Sequence, residues 1–258
     1  MLTLDGRTIP ALGSLLETCR AAGVELAAFC HDDRLSPGGH CRACLVDVDG
    51  RFAAACTTPA RDGQVVRTDG GRLREYRRDL AELMLAESGP QGWVGEVLAS
   101  WGARGARYAA PDAAGGAVAG RAEPAASHAP AAAHDHTHPY LKLDLSRCIL
   151  CRRCVRACEE IQGQFVYAVE GRGAASRLAW GGGRFADSPC VACGACVTTC
   201  PTGAITDADR EHAGGTMQAE RTVRTTCSYC GVGCQLEVAA SADAILAIDG
   251  VSEAAVNH

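Results

Sequence analysis

The chain has 258 residues, of which 21% are charged and 5% aromatic, with 30 glycines and a formal net charge of −5. Few aromatic side chains and many glycines exclude one large apolar core, so we expect small domains that bound metal stabilises. The mild negative charge argues against a nucleic-acid or anionic membrane partner.

Residues 1–70 are predicted to form the first domain. The segment MLTLDGRTI alternates around Asp5-Gly6, which is a two-residue hairpin turn signal. Ser14 is placed to cap a helix expected over residues 15–22. Cys19 lies on the apolar face of that helix and is interpreted as a small buried hydrophobe.

Four further cysteines in this domain are spaced by ten, two and eleven residues: Cys30, Cys41, Cys44 and Cys56. The first three occupy a loop rich in glycine, proline and serine, and LVDVDGRFAAA is predicted to be a hairpin that leads to the fourth. This order of elements indicates a β-grasp ferredoxin with a [2Fe–2S] cluster, although its first gap is longer than the plant-type spacing. His31 and His40 leave a two-histidine Rieske centre as the alternative, but four cysteines favour the loop interpretation.

Residues 71–108 are predicted to be helical and residues 109–139 a flexible linker. One amphipathic helix is expected over residues 71–87 and a second over 93–101. The apolar stripe of the first comprises Leu73, Tyr76, Leu80, Leu83 and Met84. The linker consists largely of Ala, Gly, Pro and His. Its HDHTH segment is interpreted as linker histidines, with a metal site as the alternative.

Residues 140–210 contain two C-x2-C-x2-C-x3-C runs, which are the signature of bacterial ferredoxins with two [4Fe–4S] clusters. The fourth cysteine of each run is expected to ligate the cluster of the other run. One predicted ligand set is Cys148, Cys151, Cys154 and Cys200, and the other is Cys190, Cys193, Cys196 and Cys158. Zinc is the alternative, but structural zinc sites favour separated cysteine pairs. LKLDL predicts a strand, helical turns are expected at 155–162 and 197–199, and QFVYAVEGRG and SRLAWGG predict strand-like connections.

Residues 222–258 carry a third set, Cys227, Cys230 and Cys234, in C-x2-C-x3-C spacing. QLEVAA and ILAIDG are predicted to be strands. Three cysteines do not complete a [4Fe–4S] site, so a further cluster here has an incomplete ligand set. Fifteen of the sixteen cysteines thus fall into cluster spacings, and there is no signal-peptide pattern and no run of twenty apolar residues. We therefore expect a cytoplasmic protein without disulfides or a membrane span.

With these motifs in view, the chain resembles the N-terminal iron–sulfur portion of the alpha subunit of cytoplasmic NAD-dependent formate dehydrogenases. These molybdenum or tungsten oxidoreductases are similar in this portion to the complex I large iron–sulfur subunit and to hydrogenase diaphorase subunits. The resemblance rests on CHDDRLSPGGHCRAC, HPYLKLDLSRCILCRRCVRACEEIQG, CVACGACVTTCPTGAI and TTCSYCGVGC. The last segment resembles the opening of a molybdopterin-binding domain and is expected to separate formate dehydrogenases from the other two classes. Relatives usually also carry a cluster held by one histidine and three cysteines, but no cysteine lies between Cys56 and Cys148, so we predict its absence.

The resemblance implies an α+β chain that relays electrons and contains no catalytic acid, base or nucleophile of its own. Its expected partners are a flavin- and NAD-binding subunit and a molybdopterin catalytic domain or chain. The Mo/W-bis-molybdopterin guanine dinucleotide would belong to that other domain or chain, and a fourth ligand to the third cysteine set would follow His258. The alternative is a stand-alone ferredoxin-like electron-transfer subunit of a hydrogenase or a complex I-like NADH oxidoreductase. A third interpretation is a truncated gene product whose clusters connect nothing.

Overall fold

A computed structural model describes residues 1–90, 92–103, 108, 134–208, 219–251 and 253–257. The architecture is α+β, as predicted, with a five-stranded sheet in the N-terminal domain and smaller sheets toward the C-terminus. No helix of the described residues is long and apolar enough to cross a membrane.

The N-terminal domain is a mixed sheet in the order β2-β1-β5-β3-β4 with one helix packed against it. Its elements are β1 (Leu2–Leu4), β2 (Arg7–Ile9), α1 (Leu15–Ala21), β3 (Leu45–Val48), β4 (Arg51–Ala54) and β5 (Val65–Arg67). Strands β1 and β5 run parallel, which completes the predicted β-grasp. Asp5 and Gly6 turn the first hairpin with positive φ angles of 47° and 82°. This is the backbone that a type I′ turn requires.

Helix α1 confirms the predicted cap and the predicted buried cysteine. The Ser14 side chain accepts the backbone N–H of Glu17, while the Glu17 carboxylate accepts the N–H of Ser14. This reciprocal capping box satisfies two backbone donors that the helix leaves open. Cys19 is fully buried in the domain core beside Leu15 and Leu16.

Helices α2 (Gly71–Glu87) and α3 (Gly92–Ser100) confirm the two helices expected after the first domain. The predicted stripe of α2 was wrong at Leu83, whose side chain is 45% exposed. Leu73 packs against the N-terminal core, whereas Leu80 and the buried Ala81 pack against a second core that includes α3. The buried face therefore runs through Ala81, and Leu83 lies beyond its edge.

The next domain contains a three-stranded sheet in the order β10-β7-β6, a two-stranded hairpin and two short helices. Its elements are β6 (His134–Asp135), β7 (Leu141–Asp144), α4 (Arg153–Arg156), β8 (Ala168–Glu170), β9 (Arg177–Ala179), α5 (Ala195–Thr199) and β10 (Ile205–Asp207). Helix α4 continues as a π-helical turn over Ala157–Gln162. The strands and turns confirm those expected around the two cysteine runs.

The predicted linker was wrong at its C-terminal end, because β6 pairs with β7. The Asp135 carboxylate accepts the N–H groups of Thr137 and Phe185 at 2.9 and 2.8 Å. His138 is buried, and its Nδ1 accepts the Tyr140 N–H at 3.2 Å. The composition of this segment did not predict an ordered structure, because its partner Phe185 lies fifty residues away in the sequence. Residues 109–133 lie outside the described residues.

The C-terminal sheet has the order β11-β12-β13. Its strands are β11 (Arg221–Thr226), β12 (Gln235–Ala240) and β13 (Ile245–Gly250). The latter two confirm the predicted strands. Strand β11 was missed because RTVRTT is polar and exposed on both faces, so it has no alternating pattern.

Candidate metal centres

Four buried thiols meet at the end of the β3–β4 hairpin, and we call them the N-terminal quartet. They are Cys30, Cys41, Cys44 and Cys56. Cys44 immediately precedes β3 and Cys56 follows β4, so hairpin pairing brings the two together. The Cys30 thiol lies within hydrogen-bond reach of Cys41 and Cys56, and Cys56 also reaches Cys44. The backbone N–H of Cys30 donates to Cys41 Sγ at 3.3 Å.

Contacts among the four thiols shift their acidities in opposite directions. Hydrogen bonds from Cys41 and Cys56 hold the pKa of Cys30 far below its usual range. A hydrogen bond from Cys56 lowers the pKa of Cys44 to about 7 against the effect of burial. The same bonds raise the pKa of Cys41 and Cys56. Four buried sulfurs within reach of one another form a donor set suited to iron.

The two flanking histidines differ in their surroundings. His31 Nε2 contacts an Asp33 carboxylate oxygen at 2.9 Å, whereas His40 is exposed. Partial desolvation of the ring nevertheless lowers the pKa of His40, and the nearby Arg152 and Arg156 charges act in the same direction.

The eight cysteines of the two ferredoxin-type runs surround two separate cavities. The inner quartet lines one cavity: Cys148, Cys151, Cys154 and Cys200. The outer quartet lines the other: Cys158, Cys190, Cys193 and Cys196. Each cavity therefore contains three cysteines of one run and the fourth cysteine of the other.

The two runs repeat one backbone conformation. Leu150 and Ala192 occupy the same position in their runs, and both have positive φ angles, of 52° and 55°. Arg152 and Gly194 form the next such pair, at 61° and 75°. Non-glycine residues adopt this region at a cost, which indicates a constraint from the site. In both turns a backbone amide donates a hydrogen bond to sulfur. Leu150 N–H donates to Cys148 Sγ at 3.4 Å, and Ala192 N–H donates to Cys190 Sγ at the same distance.

The lining of these sites suits a group with several sulfur ligands. Within the described ranges, no three His, Cys, Asp or Glu side chains are arranged to hold a single metal ion. The quartets instead line enclosed spaces with apolar walls, including Leu178 and Ile205 around the inner cavity. Thiol ligands, inward-facing amides and apolar walls together fit a [4Fe–4S] cluster in each cavity.

Burial makes several of these thiols less acidic. It raises the pKa of Cys148 and Cys196 to about 11 and that of Cys151 to about 12. Burial also raises the pKa of Cys154 well above its ordinary value. Because iron binds the thiolate, loading of the sites must release protons.

Tyr167 is a site residue that sequence reasoning missed. Its hydroxyl donates to Cys196 Sγ at 3.5 Å, and its ring stacks on Phe185 at 5.6 Å between centroids. Burial raises the pKa of Tyr167, so the hydroxyl keeps its proton. No local motif signalled this contact, because Tyr167 lies outside both cysteine runs.

The third cysteine set lies in the loop between β11 and β12. The N–H of Cys227 donates to the carbonyl of Cys234 at 2.7 Å and closes that loop. Cys230 is exposed, and the neighbouring Tyr229 is 95% exposed. This set is thus far more accessible to solvent than the N-terminal quartet.

One apolar core connects the N-terminal quartet with the inner quartet. Cys30 and Cys41 from the first and Cys151 from the second are buried in this core. Phe29 fills its centre, with the rings of Trp93 and Trp101 at 5.4 and 5.8 Å. Helices α2 and α3 therefore cover the junction between the two cysteine-bearing domains.

Three domain families match the chain. The 2Fe-2S iron-sulfur cluster binding domain matches residues 1–71. The ferredoxin-like domain of NADH-quinone oxidoreductase subunit 3 matches residues 138–206, and the molybdopterin oxidoreductase Fe4S4 domain matches residues 220–258. The chain is an iron–sulfur protein built from these three domain families. These matches confirm the predicted fold class.

Curated proteins similar to this iron–sulfur protein carry oxidoreductase or dehydrogenase names. It is 28% identical over its whole length to an NADH-quinone oxidoreductase subunit of Rhizobium meliloti, and this covers 30% of that relative. It is 31% identical to NADPH-Fe(3+) oxidoreductase subunit alpha of Geobacter sulfurreducens, over 92% of this chain and 27% of the relative. A Staphylococcus haemolyticus protein named "Putative formate dehydrogenase SH0748" is 22% identical, again over 92% of this chain and 27% of the relative. The chain thus spans less than a third of these curated relatives, and the predicted resemblance to this group is confirmed.

A solved structure gives a match of similar length. A chain of an NAD+-reducing [NiFe]-hydrogenase, in the H2-reduced state, superposes with a TM-score of 0.68 and 29% identity. The match covers 85% of this iron–sulfur protein and 91% of the hydrogenase chain.

The NADH-quinone oxidoreductase relative aligns with the whole chain, including the segment from Cys227 to Cys234. That this segment separates formate dehydrogenases from the complex I class stays a prediction.

Proposed function

We propose that this protein is an electron relay that holds a [2Fe–2S] cluster in the N-terminal quartet and a [4Fe–4S] cluster in each of the inner and outer quartets. The observation that carries the proposal is the common core in which Cys30, Cys41 and Cys151 are buried together. Cysteines of the N-terminal and inner quartets thus pack in one apolar core. The shared run from Cys154 to Cys158 then connects the inner site to the outer one, because each of its two ends lines a different cavity.

Bound clusters supply one-electron storage at potentials that ligands, hydrogen bonds and exposure adjust. The protein residues hold the clusters, exclude water and donate to sulfur. Cys30 N–H, Leu150 N–H and Ala192 N–H act on one quartet each. Such donors stabilise the more negative, reduced state of a bound cluster.

The finer proposal is that the relay serves an NAD-dependent formate dehydrogenase. Its catalytic Mo/W-pterin centre belongs to another domain or chain, and NAD+ is handled by a flavin-containing partner subunit. Support comes from the molybdopterin oxidoreductase Fe4S4 match at residues 220–258 and from the formate dehydrogenase homologue. The sixteen free cysteines suit a reducing cytoplasm, which is part of this proposal.

A second candidate is an electron-transfer subunit of a hydrogenase or a complex I-like NADH oxidoreductase. The specific observation in its favour is the hydrogenase chain, 91% of which is covered by the match. The two candidates share the relay and differ in the electron donor.

Metal analysis of the anaerobically purified chain tests the relay. Three clusters correspond to about ten iron atoms per chain, and a fourth cubane raises that count to about fourteen. Zinc in place of iron contradicts the proposal. Cys193→Ser should remove one cubane signal from the electron paramagnetic resonance (EPR) spectrum. The matched control Cys19→Ala should keep every signal, since Cys19 lies in the N-terminal core and in none of the quartets.

The electron donor is tested with the native complex, isolated through a tag on this chain. Reduction of the clusters by formate, with NADH formed from NAD+, supports the formate dehydrogenase. Reduction by H2 instead favours the hydrogenase. Reduction by NADH alone favours the complex I-like candidate.

A further inference from the structure

Arg156 lies at the boundary between the N-terminal quartet and the inner quartet. It is the last residue of α4, two residues after Cys154 and two before Cys158. Its side chain reaches across the boundary and donates to the backbone carbonyls of Cys30 and Ser36. Although arginine is almost never fully buried without a partner, Arg156 is only 9% exposed.

The charge of Arg156 has no carboxylate partner in the described part of the chain. Asp32 and Glu160 lie near this boundary but make their short contacts with other groups, since Asp32 pairs with Arg34 at 2.9 Å and Glu160 accepts the Ser36 N–H at 2.7 Å. Arg156 Nε is buried and has no hydrogen-bond partner among the described residues. The guanidinium is a cation, and the partners that the described residues give it are carbonyl oxygens.

Burial of an uncompensated charge is costly, so such groups are normally paired. Around Arg156 the available negative charge would come from ligated thiolates. Cys30, whose carbonyl it binds, belongs to the N-terminal quartet, and Cys154 on its own helix belongs to the inner quartet. Iron–sulfur clusters ligated by four thiolates are anionic and become more so on reduction. A fixed cation between two of them favours the reduced state of both.

The neighbouring arginine has a different role. Arg153 is close to Asp32, at 3.7 Å, and donates to the carbonyls of Ala28 and Thr199 at 3.3 and 3.4 Å. It therefore joins the two domains but has a carboxylate nearby to balance its charge. Arg34 crosses the same boundary to the Thr198 carbonyl at 3.2 Å, is exposed, and is paired with Asp32.

We propose that Arg156 is a positioning residue for electron transfer: its buried charge is the common counter-charge of the N-terminal and inner clusters and keeps both reduction potentials high. The inference rests on the proposed relay, because it requires clusters in both quartets. Gly38 leaves room for this arrangement, since a Cβ at that position would lie 2.8 Å from the His40 ring and 3.1 Å from the Arg156 guanidinium carbon.

The test is a potentiometric titration of the full chain followed by EPR, on Arg156→Gln, Arg156→Lys and Arg34→Gln. Arg156→Gln keeps a donor for a carbonyl but removes the charge, so both potentials should shift downward. Arg156→Lys keeps the charge and should remain close to the wild type. Arg34→Gln is the matched control at the same boundary and should change neither potential.

Two outcomes overturn the inference: unchanged potentials in Arg156→Gln, or an equal shift in the glutamine and lysine variants, which would indicate a purely structural clamp. If Arg156→Gln retains no iron, Arg156→Met takes its place, because methionine fills much of the same space without a charge. Unchanged potentials in that variant then overturn the inference. Absence of iron and of EPR signals in the wild type is the separate result that refutes the relay itself.

Discussion

Removal of the Tyr167 hydroxyl should lower the reduction potential of the cluster in the outer quartet alone. Tyr167 donates to Cys196 Sγ at 3.5 Å from a buried position, and its ring is held by Phe185. Tyr167→Phe keeps the ring and deletes only the donor. Reduction adds negative charge to the cluster and its sulfurs, so the hydrogen bond is stronger in the reduced state. Its loss therefore destabilises that state selectively.

The magnitude follows from the hydrogen-bond geometry. A typical hydrogen bond contributes a net 0.5–1.5 kcal/mol, and a long one to sulfur belongs at the lower end, about 0.5 kcal/mol. For a one-electron couple, 59 mV corresponds to a tenfold change in the equilibrium constant. We therefore expect the outer cluster to shift by about 20 mV toward lower potential, with the inner cluster unchanged.

A potentiometric titration with EPR detection of each cubane measures this shift. Tyr140→Phe is the control, because Tyr140 belongs to the same domain but is 60% exposed. An unchanged or raised potential of the outer cluster in Tyr167→Phe refutes the reasoning. An equal shift of both cubanes also refutes it, because that result indicates a general structural change.

Three further predictions concern stability and can be measured by chemical denaturation. Phe29→Ala should destabilise the protein by about 3–5 kcal/mol, since Phe29 is fully buried between two tryptophan rings, whereas the exposed Leu83→Ala should cost less than about 0.5 kcal/mol. Similar values for the two variants would contradict the proposed junction core. Ser14→Ala should cost about 1 kcal/mol through loss of the capping box, and no loss would exclude that cap. Burial raises the pKa of Asp135, but hydrogen bonds from Thr137 and Phe185 outweigh it and leave that pKa below its ordinary value. The carboxylate therefore contributes stability above the unfolded pKa of about 3.9, which is lost as the pH falls through the lower folded pKa. Asp135→Asn should be less stable at neutral pH and less sensitive to acid, and a wild-type acid response in this variant would contradict that role.

The sequence by itself determined the features that depend on neighbours in the chain. Ligand spacing identified the cysteine sets, because the first three ligands of one cluster lie three residues apart within each run. The Asp5-Gly6 turn, the Ser14 cap and the bounds of α2 followed from local backbone preferences and from the helical period. The β-grasp order followed from the succession of hairpin, helix, loop and hairpin.

Only the tertiary structure decided the features that depend on distant partners. The pairing of β6 with β7 relies on Asp135, whose hydrogen bond reaches Phe185 fifty residues away. Leu83 is exposed because the face of α2 that packs in the second core contains Ala81 and not Leu83. The helical period alone does not indicate which of these two residues is buried. The hydrogen-bond donors most relevant to electron transfer also depend on distant partners. Tyr167 reaches Cys196 across 29 positions and Arg156 reaches Cys30 across 126, so no local pattern carries either contact. Ligand spacing specifies which cysteines can hold the clusters, whereas long-range packing specifies which donors and charges surround them.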